Sequence, residues 1–582
     1  MISRLLHSRR SVMCVRIVIV ALLCGLSVAR GMSPVAAEYA EIDGTGSTWV
    51  QNMVQQWVDD VQSNGMQVVY TGDGSSAGRT QYANGSVDFA DSDIPYQGTY
   101  TIKGVTQTDD SNRPYAFLPV VGGGTSFTYQ IKVGGHLVTN LRLSGETIAK
   151  IFTNQITNWD DPEITKDNGG HALPSLPITP VVDSGGSGET AQFTLWMNNE
   201  YPSLWKPYNG GVGGLTSVWP IEGRQKGQSG DSSVMSFIES SAGNGSIGYV
   251  QYSFPEHSNY PVVYMENAAG YFVQPTQYNV AVALTQAQIQ GCKTTLNSNG
   301  TVKSIGTCSP NGVSKTAYLT QNLSKVYTYK DPRSYPMSAY SYMIIPTSSS
   351  DQKMTVAKRT TLAAFLNYSL CSGQTEAGPL GYSPMPLNLV QAAFGQLQYL
   401  GQKAVPTAVA GVNVANPVTS AAKNSCNNPT FVAGQLGENK LAEVAPMPLA
   451  CQKATATPCG DGTVPPGTST AKSPNGTTGT TGNTGTPAGA APPGSTGTGI
   501  GGPGASGVPG GVDPVTGQTA ATGVTGTGTA TTAAATAQPM ELTAERQGDN
   551  KVFGGVAVLE LAAIVLIPGL YVAWLRRRKG SA

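Results

Sequence analysis

A long tract of small and turn-forming residues limits which part of this chain can fold. Between residues 454 and 539 the sequence consists almost entirely of Gly, Thr, Pro, Ala and Ser, and large apolar side chains are nearly absent. Such a segment cannot bury enough apolar surface to offset the entropy lost on folding. We therefore predict a disordered stalk over residues 451–545, with ends on the order of 50 Å apart, and a folded region over residues 38–450.

Both ends of the chain are typical of an exported, membrane-attached protein. Residues 1–37 combine a basic start, an apolar run and small residues before Ala37, which predicts a signal peptide. Residues 552–575 are apolar and long enough to cross a bilayer as a transmembrane helix. Trp574 and the basic tail, residues 576–582, follow the pattern of a cytoplasmic end. We therefore predict a single-pass protein of the cell membrane, with an extracellular N-terminal domain and a cytoplasmic C-terminus.

The charge is distributed unevenly along a chain that is neutral overall. Setting aside the basic ends and Glu560 leaves 26 basic and 34 acidic residues, a net charge of about −8 for the exported part. Because nucleic-acid backbones are bound through basic patches, we expect no nucleic-acid partner. A single small anion can still be bound by helix dipoles on an acidic protein.

Six cysteines remain after the signal peptide, and an even number in an exported protein favours disulfides. Six cysteines allow fifteen pairings. Proximity along the chain suggests Cys292–Cys308, Cys371–Cys426 and Cys451–Cys459. The spacings contain no CxxC motif and only three histidines survive processing, so we expect no metal site and no cofactor.

The folded region shows alternating helix and strand patterns. Residues 47–62 have apolar side chains at helical spacing, whereas residues 66–72 and 87–93 predict buried strands. Residues 143–161 predict a capped helix followed by a turn. Strand, glycine-rich turn and helix in succession are typical of a doubly wound sheet with ligands at the carboxyl ends of its strands. The length of this region suits two α/β lobes.

Three Gly/Ser-rich loops lead into predicted helices. They are DGTGSTW at residues 43–49, YTGDGSSAGRTQY at residues 70–82 and ITPVVDSGGSGETAQFTLWM at residues 178–197. Free backbone N–H groups and the positive end of a helix dipole make each loop a candidate anion site. A single such loop is usually only a turn, but three in one chain favour an anion-binding role.

These loops resemble those of the phosphate-binding subunits of ABC importers, which read GAGATFP and GIGSSGG. The family's VDFGASDAP is matched by VDFADSDIP at residues 87–95. Residues 141–164 and 245–254 are similar to the family's LSGETLADIFLGKITKWNDPAI and GAIGYVEYAY. The resemblance covers residues 40–402 in order, with an insertion around residues 292–308.

The resemblance implies a type II periplasmic-binding-protein fold, in which two doubly wound α/β lobes are joined by a two-strand hinge. The hinge would lie near residues 119–124 and again after Tyr252. Lobe 1 would comprise about residues 38–120 and 257–450, and lobe 2 about residues 121–256. The implied function is capture of inorganic phosphate, or a related small oxyanion, by a non-enzymatic monomer that delivers it to an ABC permease.

The family's ligand contacts can be carried over residue by residue. They correspond to Thr48, the backbone N–H of Trp49, Ser75, Asp93, Ser187, Gly188 and Glu189. Hydroxyl and N–H groups would donate to the phosphate oxygens, and Asp93 would accept from a ligand O–H. Sulfate offers no such proton, so Asp93 would favour phosphate. The alternative role for Asp93 is to cap a turn.

The third loop departs from the family's VVRSDGSGTT. Asp183 stands where the family has the Arg that forks onto phosphate, Gly185 replaces its Asp and Glu189 its Thr. Loss of a guanidinium and gain of two carboxylates should weaken binding of a dianion. Glu189 could still offer its backbone N–H if its side chain faced solvent. Alternatively, the pocket has a changed ligand, either neutral or cation-bearing.

Arg79 is a possible compensating cation. It lies four residues after Ser75, on the same face of a predicted helix, from which it could pair with phosphate or with Asp93. The alternative is an Arg on the exposed surface of that helix.

Two other classes of function remain open from the sequence. An enzyme is disfavoured because the loop SGGSGET lacks the glycine placement of a GxSxG elbow, and we predict no catalytic residues. A cell-surface sensor or interaction protein, with the same fold but without phosphate transport, would also fit a stalk and an anchor.

Overall fold

A computed structural model describes residues 39–102, 105–400, 408–409, 412–413, 426, 428–432 and 438–460. The predicted signal peptide, transmembrane helix and cytoplasmic tail, and the stalk beyond residue 460, lie outside these residues. No helix in the described part of the chain is long and apolar enough to cross a membrane.

The strands are numbered in chain order. The first twelve are β1 (Ile42–Gly46), β2 (Val68–Gly72), β3 (Phe89–Ser92), β4 (Gly98–Ile102), β5 (Val105–Asp109), β6 (Tyr115–Gln130), β7 (Lys132–Val133), β8 (His136–Leu137), β9 (Arg142–Leu143), β10 (Thr179–Asp183), β11 (Lys226–Gln228) and β12 (Ser246–Gln251). The others are β13 (Tyr264–Glu266), β14 (Phe272–Val273), β15 (Gln288–Ile289), β16 (Cys292–Leu296), β17 (Val302–Cys308), β18 (Gln321–Asn322), β19 (Ser338–Pro346), β20 (Tyr382–Ser383), β21 (Ala408–Val409) and β22 (Val412–Asn413).

The α-helices are numbered in the same way. They are α1 (Gln51–Gln62), α2 (Ser75–Ala83), α3 (Gly145–Phe152), α4 (Pro162–Asp167), α5 (Gly188–Glu200), α6 (Pro202–Tyr208), α7 (Asp231–Glu239), α8 (Ser253–His257), α9 (Gln277–Leu284), α10 (Ser324–Tyr327), α11 (Val356–Leu370), α12 (Leu387–Leu397) and α13 (Lys440–Val444). Short 3₁₀ turns occur at Ser372–Thr375, Gln398–Leu400 and Ala450–Gln452.

The main sheet has nine strands in the order β11-β10-β12-β6-β19-β3-β1-β2, with β20 also paired to β6. In one half, β1 lies between β2 and β3 and runs parallel to both. In the other half, β10 lies between β11 and β12 and runs parallel to both. An antiparallel strand completes each half, β19 beside β3 and β6 beside β12. This repeated arrangement in a mixed sheet confirms the predicted α/β architecture.

Strand β6 joins the two halves of the sheet. It is 16 residues long and buried throughout. Residues 115–124 pair with β19, whereas residues 125–130 pair with β12. The change of partner therefore falls at the end of the segment 119–124, which the resemblance implied as a hinge. Hinge motion and the lobe boundaries stay predictions.

Local sequence patterns produced the expected elements around the cleft. Helix α1 buries Met53, Val54, Trp57 and Val61, which recur at helical spacing. Helix α3 begins where predicted, because the Ser144 side chain accepts a hydrogen bond from the Thr147 N–H. The segments predicted as strands form β2 and β3.

Helix α5 is held in place by an aromatic cluster. Phe193 on this helix stacks against Trp219, with ring centroids 5.6 Å apart, and meets Phe152 edge-on at 5.1 Å. Tyr249 on β12 lies 5.1 Å from the same ring. Aromatic pairs in these geometries bury large areas and fix side-chain orientation. The first turn of α5 is therefore anchored by packing further along the helix.

The three suggested disulfides are confirmed. Cys292 pairs with Cys308, Cys371 with Cys426 and Cys451 with Cys459. The first bond closes the β16–β17 hairpin, which forms the insertion noted in the sequence.

Residues 451–460, which the sequence analysis placed in the stalk, are attached to the folded region. Arg142 donates a hydrogen bond to the carbonyl of Cys451, and Ala454 N–H donates to the Gly270 carbonyl at 2.9 Å. Lys453 also forms a bridge with Tyr271. The composition of this segment resembles the stalk, but its disulfide and backbone hydrogen bonds attach it to the folded region.

Candidate ligand-binding cleft

The three glycine-rich loops meet at the carboxyl ends of β1, β2 and β10. The Gly74 N–H donates to the Gly46 carbonyl at 2.8 Å, which ties the second loop to the first. The Ser76 N–H donates to the Gly186 carbonyl at 2.9 Å, which ties the second loop to the third. Loops from both halves of the sheet therefore share one cleft, as the sequence predicted.

Asp93 lies at the centre of this cleft and is 3% exposed. Its Oδ2 accepts hydrogen bonds from Ser47 Oγ at 2.6 Å and from Ser75 Oγ at 3.1 Å. Its Oδ1 accepts from Ser341 Oγ at 2.6 Å. Burial raises the pKa of Asp93, although all three hydroxyls oppose that shift. Asp93 is therefore a buried acceptor within a ring of hydroxyls, which is more than the cap of a turn.

Asp91 forms a second carboxyl group beside Asp93. Ser341 Oγ lies 2.6 Å from Asp91 Oδ1 as well as from Asp93. A hydroxyl carries one proton, so one of these two carboxyl groups must be protonated and donate to Ser341. Burial, followed by the charge of Asp93, raises the pKa of Asp91 far above its usual range. We therefore assign the proton to Asp91, a residue that the sequence analysis did not select.

The first residue of α5 closes against Asp93. The Cβ of any residue larger than glycine at position 188 would lie 2.4 Å from Ser75 Oγ and 2.7 Å from Asp93 Oδ2. Ser187 caps this helix by accepting from the Thr190 N–H at 3.1 Å. The first amides of a helix lack intrahelical acceptors and carry its positive dipole end. A group bound beside Asp93 would therefore lie next to the positive end of α5.

A side chain of α5 also makes a hydrogen bond across the cleft. Gln192 donates from Nε2 to the backbone carbonyl of Asp93 at 2.8 Å. Gln192 was not selected from the sequence, because a glutamine within a helix carries no local signal for such a role.

Thr48 and Trp49 are held by partners that the sequence did not indicate. Thr48 Oγ1 donates to Asp231 Oδ1 at 2.5 Å, and Gln251 N–H donates to Asp231 Oδ2 at 2.8 Å. Burial raises the pKa of Asp231 to about 7, although the bond from Thr48 opposes the shift. The Trp49 N–H, predicted to face the ligand, donates to Ser47 Oγ at 3.1 Å.

Glu189 is buried, with 3% of its surface exposed, so an orientation toward solvent is wrong. Burial raises its pKa far above the usual range, and the nearby charge of Asp231 adds to this effect. Its Oε1 is buried without a hydrogen-bond partner in the described part of the structure. A hydrogen bond with Thr125 opposes this shift but leaves Oε1 without a partner, so Glu189 is expected to be neutral.

Asp183 stabilises the loop in which it lies. It is 5% exposed, and its Oδ1 accepts from the Gly185 N–H at 2.7 Å. Its charge contributes to the raised pKa of both Glu189 and Asp231. At the position of the family's guanidinium the cleft thus has a carboxyl group that helps to keep its neighbours protonated.

Arg79 is neither on the surface nor in contact with Asp93. It is fully buried, and its Nε lies 3.0 Å from both carboxylate oxygens of Asp109. Its Nη1 donates to Ser92 Oγ at 2.8 Å. The predicted pairing with Asp93 and the alternative surface position are therefore both wrong. The guanidinium still lowers the pKa of Asp93 from behind the cleft, but Asp109 already balances its charge.

No group of three or more His, Cys, Asp or Glu residues within the described part of the chain is placed to hold a metal ion. The acidic cleft therefore carries carboxyl groups without the convergent geometry of a metal site.

Comparison with known proteins places this geometry in context. A family model described as a PBP superfamily domain matches residues 32–372. The phosphate-binding protein PstS 2 of Mycobacterium tuberculosis is 30% identical over 353 residues, which cover 60% of this chain and 83% of that protein. The phosphate-binding protein PstS of Xylella fastidiosa (strain Temecula1) is 27% identical over 370 residues, which cover 62% of this chain and 87% of that protein.

Solved structures were also compared. A high-affinity periplasmic phosphate-binding protein bound with phosphate matches 61% of this chain and 93% of its own, with a TM-score of 0.44 and 18% identity.

Proposed function

Because the chain belongs to the PBP superfamily, within the family of PstS phosphate-binding proteins, we propose that it captures inorganic phosphate in the cleft around Asp93. Phosphate would then be passed to an ABC permease for uptake. The proposed role is that of a binding protein, and this role agrees with the names of its relatives, which are phosphate-binding proteins.

This proposal rests on one observation, that the first turn of α5 lies against Asp93. Ser75 Oγ, from one half of the sheet, donates to Asp93, and the first residue of α5, from the other half, lies against the same buried carboxyl group. A protonated oxyanion needs this combination, since its oxygens accept from hydroxyls and amides while its own O–H donates to a carboxylate. Opening and closing of the two halves would admit and enclose the anion.

The acidic residues around the cleft determine which ionisation state of phosphate the cleft would bind. Glu189 and Asp231 have raised pKa values, and both are favoured in their neutral forms when an anion is enclosed. A neutral carboxylic acid can donate a hydrogen bond, as a guanidinium does, but supplies no positive charge. We therefore propose that the monoanion is preferred over the dianion.

The proposed site of action is the outer face of the cell membrane. The predicted signal peptide and transmembrane helix support export and anchoring, and the stalk would hold the binding domain away from the bilayer. Delivery to a permease by a tethered monomer fits this arrangement. Co-purification of the full-length chain with a permease tests it, and recovery of the chain alone under mild solubilisation would argue against a transport partnership.

A second candidate function follows from the carboxyl group at position 183. In this alternative the cleft has changed ligand, and the protein acts as a cell-surface sensor or interaction protein without phosphate transport. The specific observation is that Asp183 replaces the family's cation while Arg79 is occupied by Asp109.

Titration calorimetry with phosphate separates the two functions. We expect the wild-type chain to bind phosphate, and Asp183→Arg to bind it at least about tenfold more tightly, since a guanidinium adds a charge-assisted pair. A wild-type chain that is folded but binds no phosphate, alongside an Asp183→Arg variant that does, would support the changed ligand.

A further inference from the structure

A separate cavity of about 440 Å³ lies at the other end of α5. None of the predicted ligand residues lines it. Its walls carry the carboxyl groups of Glu146, Asp167, Glu200 and Glu266, together with aromatic rings and a single lysine, Lys166. We propose that this cavity binds a small organic cation, an amine or guanidinium compound.

Two of the carboxyl groups are available for such a cation. Glu200 and Glu266 are half-buried, and their carboxyl groups make no hydrogen bond or close ion pair with the described residues, although the charge of Lys166 acts on Glu266. Asp167, in contrast, accepts from the Ser144 N–H and from Thr147 Oγ1, each at 2.7 Å. Partial burial without a partner is unfavourable for an anion, and a bound cation would remove that cost.

The electrostatic field of α5 favours the same occupant. Glu200 is the last residue of this 13-residue helix, where the macrodipole is negative. A carboxylate at a helix C-terminus is therefore repelled by the helix that carries it, and a cation beside it is stabilised. The N-terminus of the same helix faces the phosphate cleft, so the two ends favour ligands of opposite charge.

Aromatic side chains provide a second, independent indication of a ligand. Trp196 and Tyr201 line the cavity with ring centroids 5.1 Å apart, and the faces of such rings, which carry partial negative charge, are suited to cation–π contact. Tyr327 also lines it, is only 6% exposed, and its hydroxyl has no hydrogen-bond partner among the described residues. Burial raises the pKa of this hydroxyl, and the negative charge of Glu200 adds to the shift.

The cavity suits a molecule rather than a metal ion. Its volume is in the range of small-molecule sites, about 300–1,000 Å³. The described residues include no cluster of three acidic, histidine or cysteine side chains with metal-binding geometry. Charge, shape and aromatic walls together therefore indicate an organic cation.

Calorimetry on the full-length chain tests this site with putrescine, agmatine and choline as probes. We expect saturable binding of at least one probe, a loss of about tenfold or more in affinity for Glu200→Gln, and a smaller loss for Tyr327→Phe. Glu239→Gln makes the same change at an exposed position outside the cavity and should have no effect. Glutarate, an anion of similar size, should not bind.

Phosphate titrations of the same variants distinguish this site from the cleft. Unchanged phosphate affinity in Glu200→Gln would show that the two sites are independent. Cation binding by a wild-type chain that binds no phosphate would support this site while the proposed function fails. Absence of binding by all three cations to a chain that melts cooperatively would overturn the inference. Equal cation affinity in the wild type, Glu200→Gln and Tyr327→Phe would also overturn it.

Discussion

At the scale of single residues, the cleft is defined by carboxyl groups that share protons and hydroxyl donors. Five carboxyl groups are less than a tenth exposed around it, on Asp91, Asp93, Asp183, Glu189 and Asp231. If all were ionised, their mutual repulsion in a poorly solvated cleft would amount to many kcal/mol. The hydroxyl of Ser341, shared between Asp91 and Asp93, indicates how this is avoided, because it requires one of them to be neutral.

Phosphate binding should therefore weaken as the pH rises. The folded-state pKa of Asp231 is raised to about 7 and that of Glu189 is also raised above its usual range, so near neutral pH both groups bind protons in the folded cleft that they would lose in the unfolded chain. The stability gained from these protons is present at acidic pH and is lost as the pH rises through the folded values. Ionised Asp231 and Glu189 would also repel the anion. We expect affinity to fall by roughly tenfold between about pH 6 and about pH 8, measured by calorimetry.

Glu189→Gln provides the control for this pH dependence. The amide keeps the shape of the neutral acid and its hydrogen-bond donor but cannot ionise. The phosphate affinity of the variant should therefore fall less than that of the wild type as the pH rises. A wild-type affinity that increases with pH, or an identical profile in the variant, would show that these carboxyl groups do not face the ligand.

Some residues of the cleft can be identified from a single sequence, and others cannot. Ser75 and Asp93 lie in short motifs next to strands, where local pattern is informative. Ser341 lies 248 residues after Asp93, and Asp231 lies 183 residues after Thr48. Their roles depend on tertiary contacts, so no local pattern selects them. The positions of Glu189 and Arg79 were also wrongly judged, because burial of a charged side chain is decided by its surroundings in space.

At the scale of secondary-structure elements, the N-terminus of α5 is the part of the cleft most sensitive to side-chain size. A methyl group at position 188 would overlap Ser75 and Asp93. We expect Gly188→Ala to fold, because the two halves of the sheet can separate, but to weaken phosphate binding by at least about tenfold by preventing full closure.

Gly395→Ala is the matched control for that change. Gly395 lies within α12, and a methyl group there would contact nothing within 4 Å. Its replacement should leave phosphate affinity unchanged and raise stability by up to about 1 kcal/mol, since alanine favours helices. Equal phosphate affinity in Gly188→Ala and the wild type would contradict the closed geometry of the cleft.

Elements were predicted more successfully than their assembly. The strand–loop–helix units at β2 and β10 follow from apolar runs and glycine-rich turns, which are local properties. Strand β1, in contrast, includes residues 43–46, which the sequence analysis placed in a loop. The order of nine strands, and the passage of β6 from one half to the other, depend on pairing between distant segments. The resemblance to a known family implied two lobes and a hinge near residues 119–124 but not the order of the strands, and composition alone placed residues 451–460 in the stalk.

At the scale of the whole molecule, the chain combines an acidic binding region with predicted export and anchoring. A net charge of about −8 does not attract phosphate from a distance, so selectivity must arise from short-range hydrogen bonds. Asp93 supplies the discriminating acceptor, and the hydroxyl and amide donors around it define the geometry. In this account, the protein distinguishes phosphate from sulfate by the proton that phosphate carries and not by the charge of the anion.

Equilibrium dialysis of radiolabelled phosphate against the full-length chain, with and without a large excess of sulfate, tests this claim most directly. The account predicts saturable phosphate binding that sulfate does not displace, and an Asp93→Asn variant that loses this discrimination because the amide can donate to sulfate. Displacement of phosphate by sulfate from the wild type, or no phosphate binding by the folded chain, would contradict it.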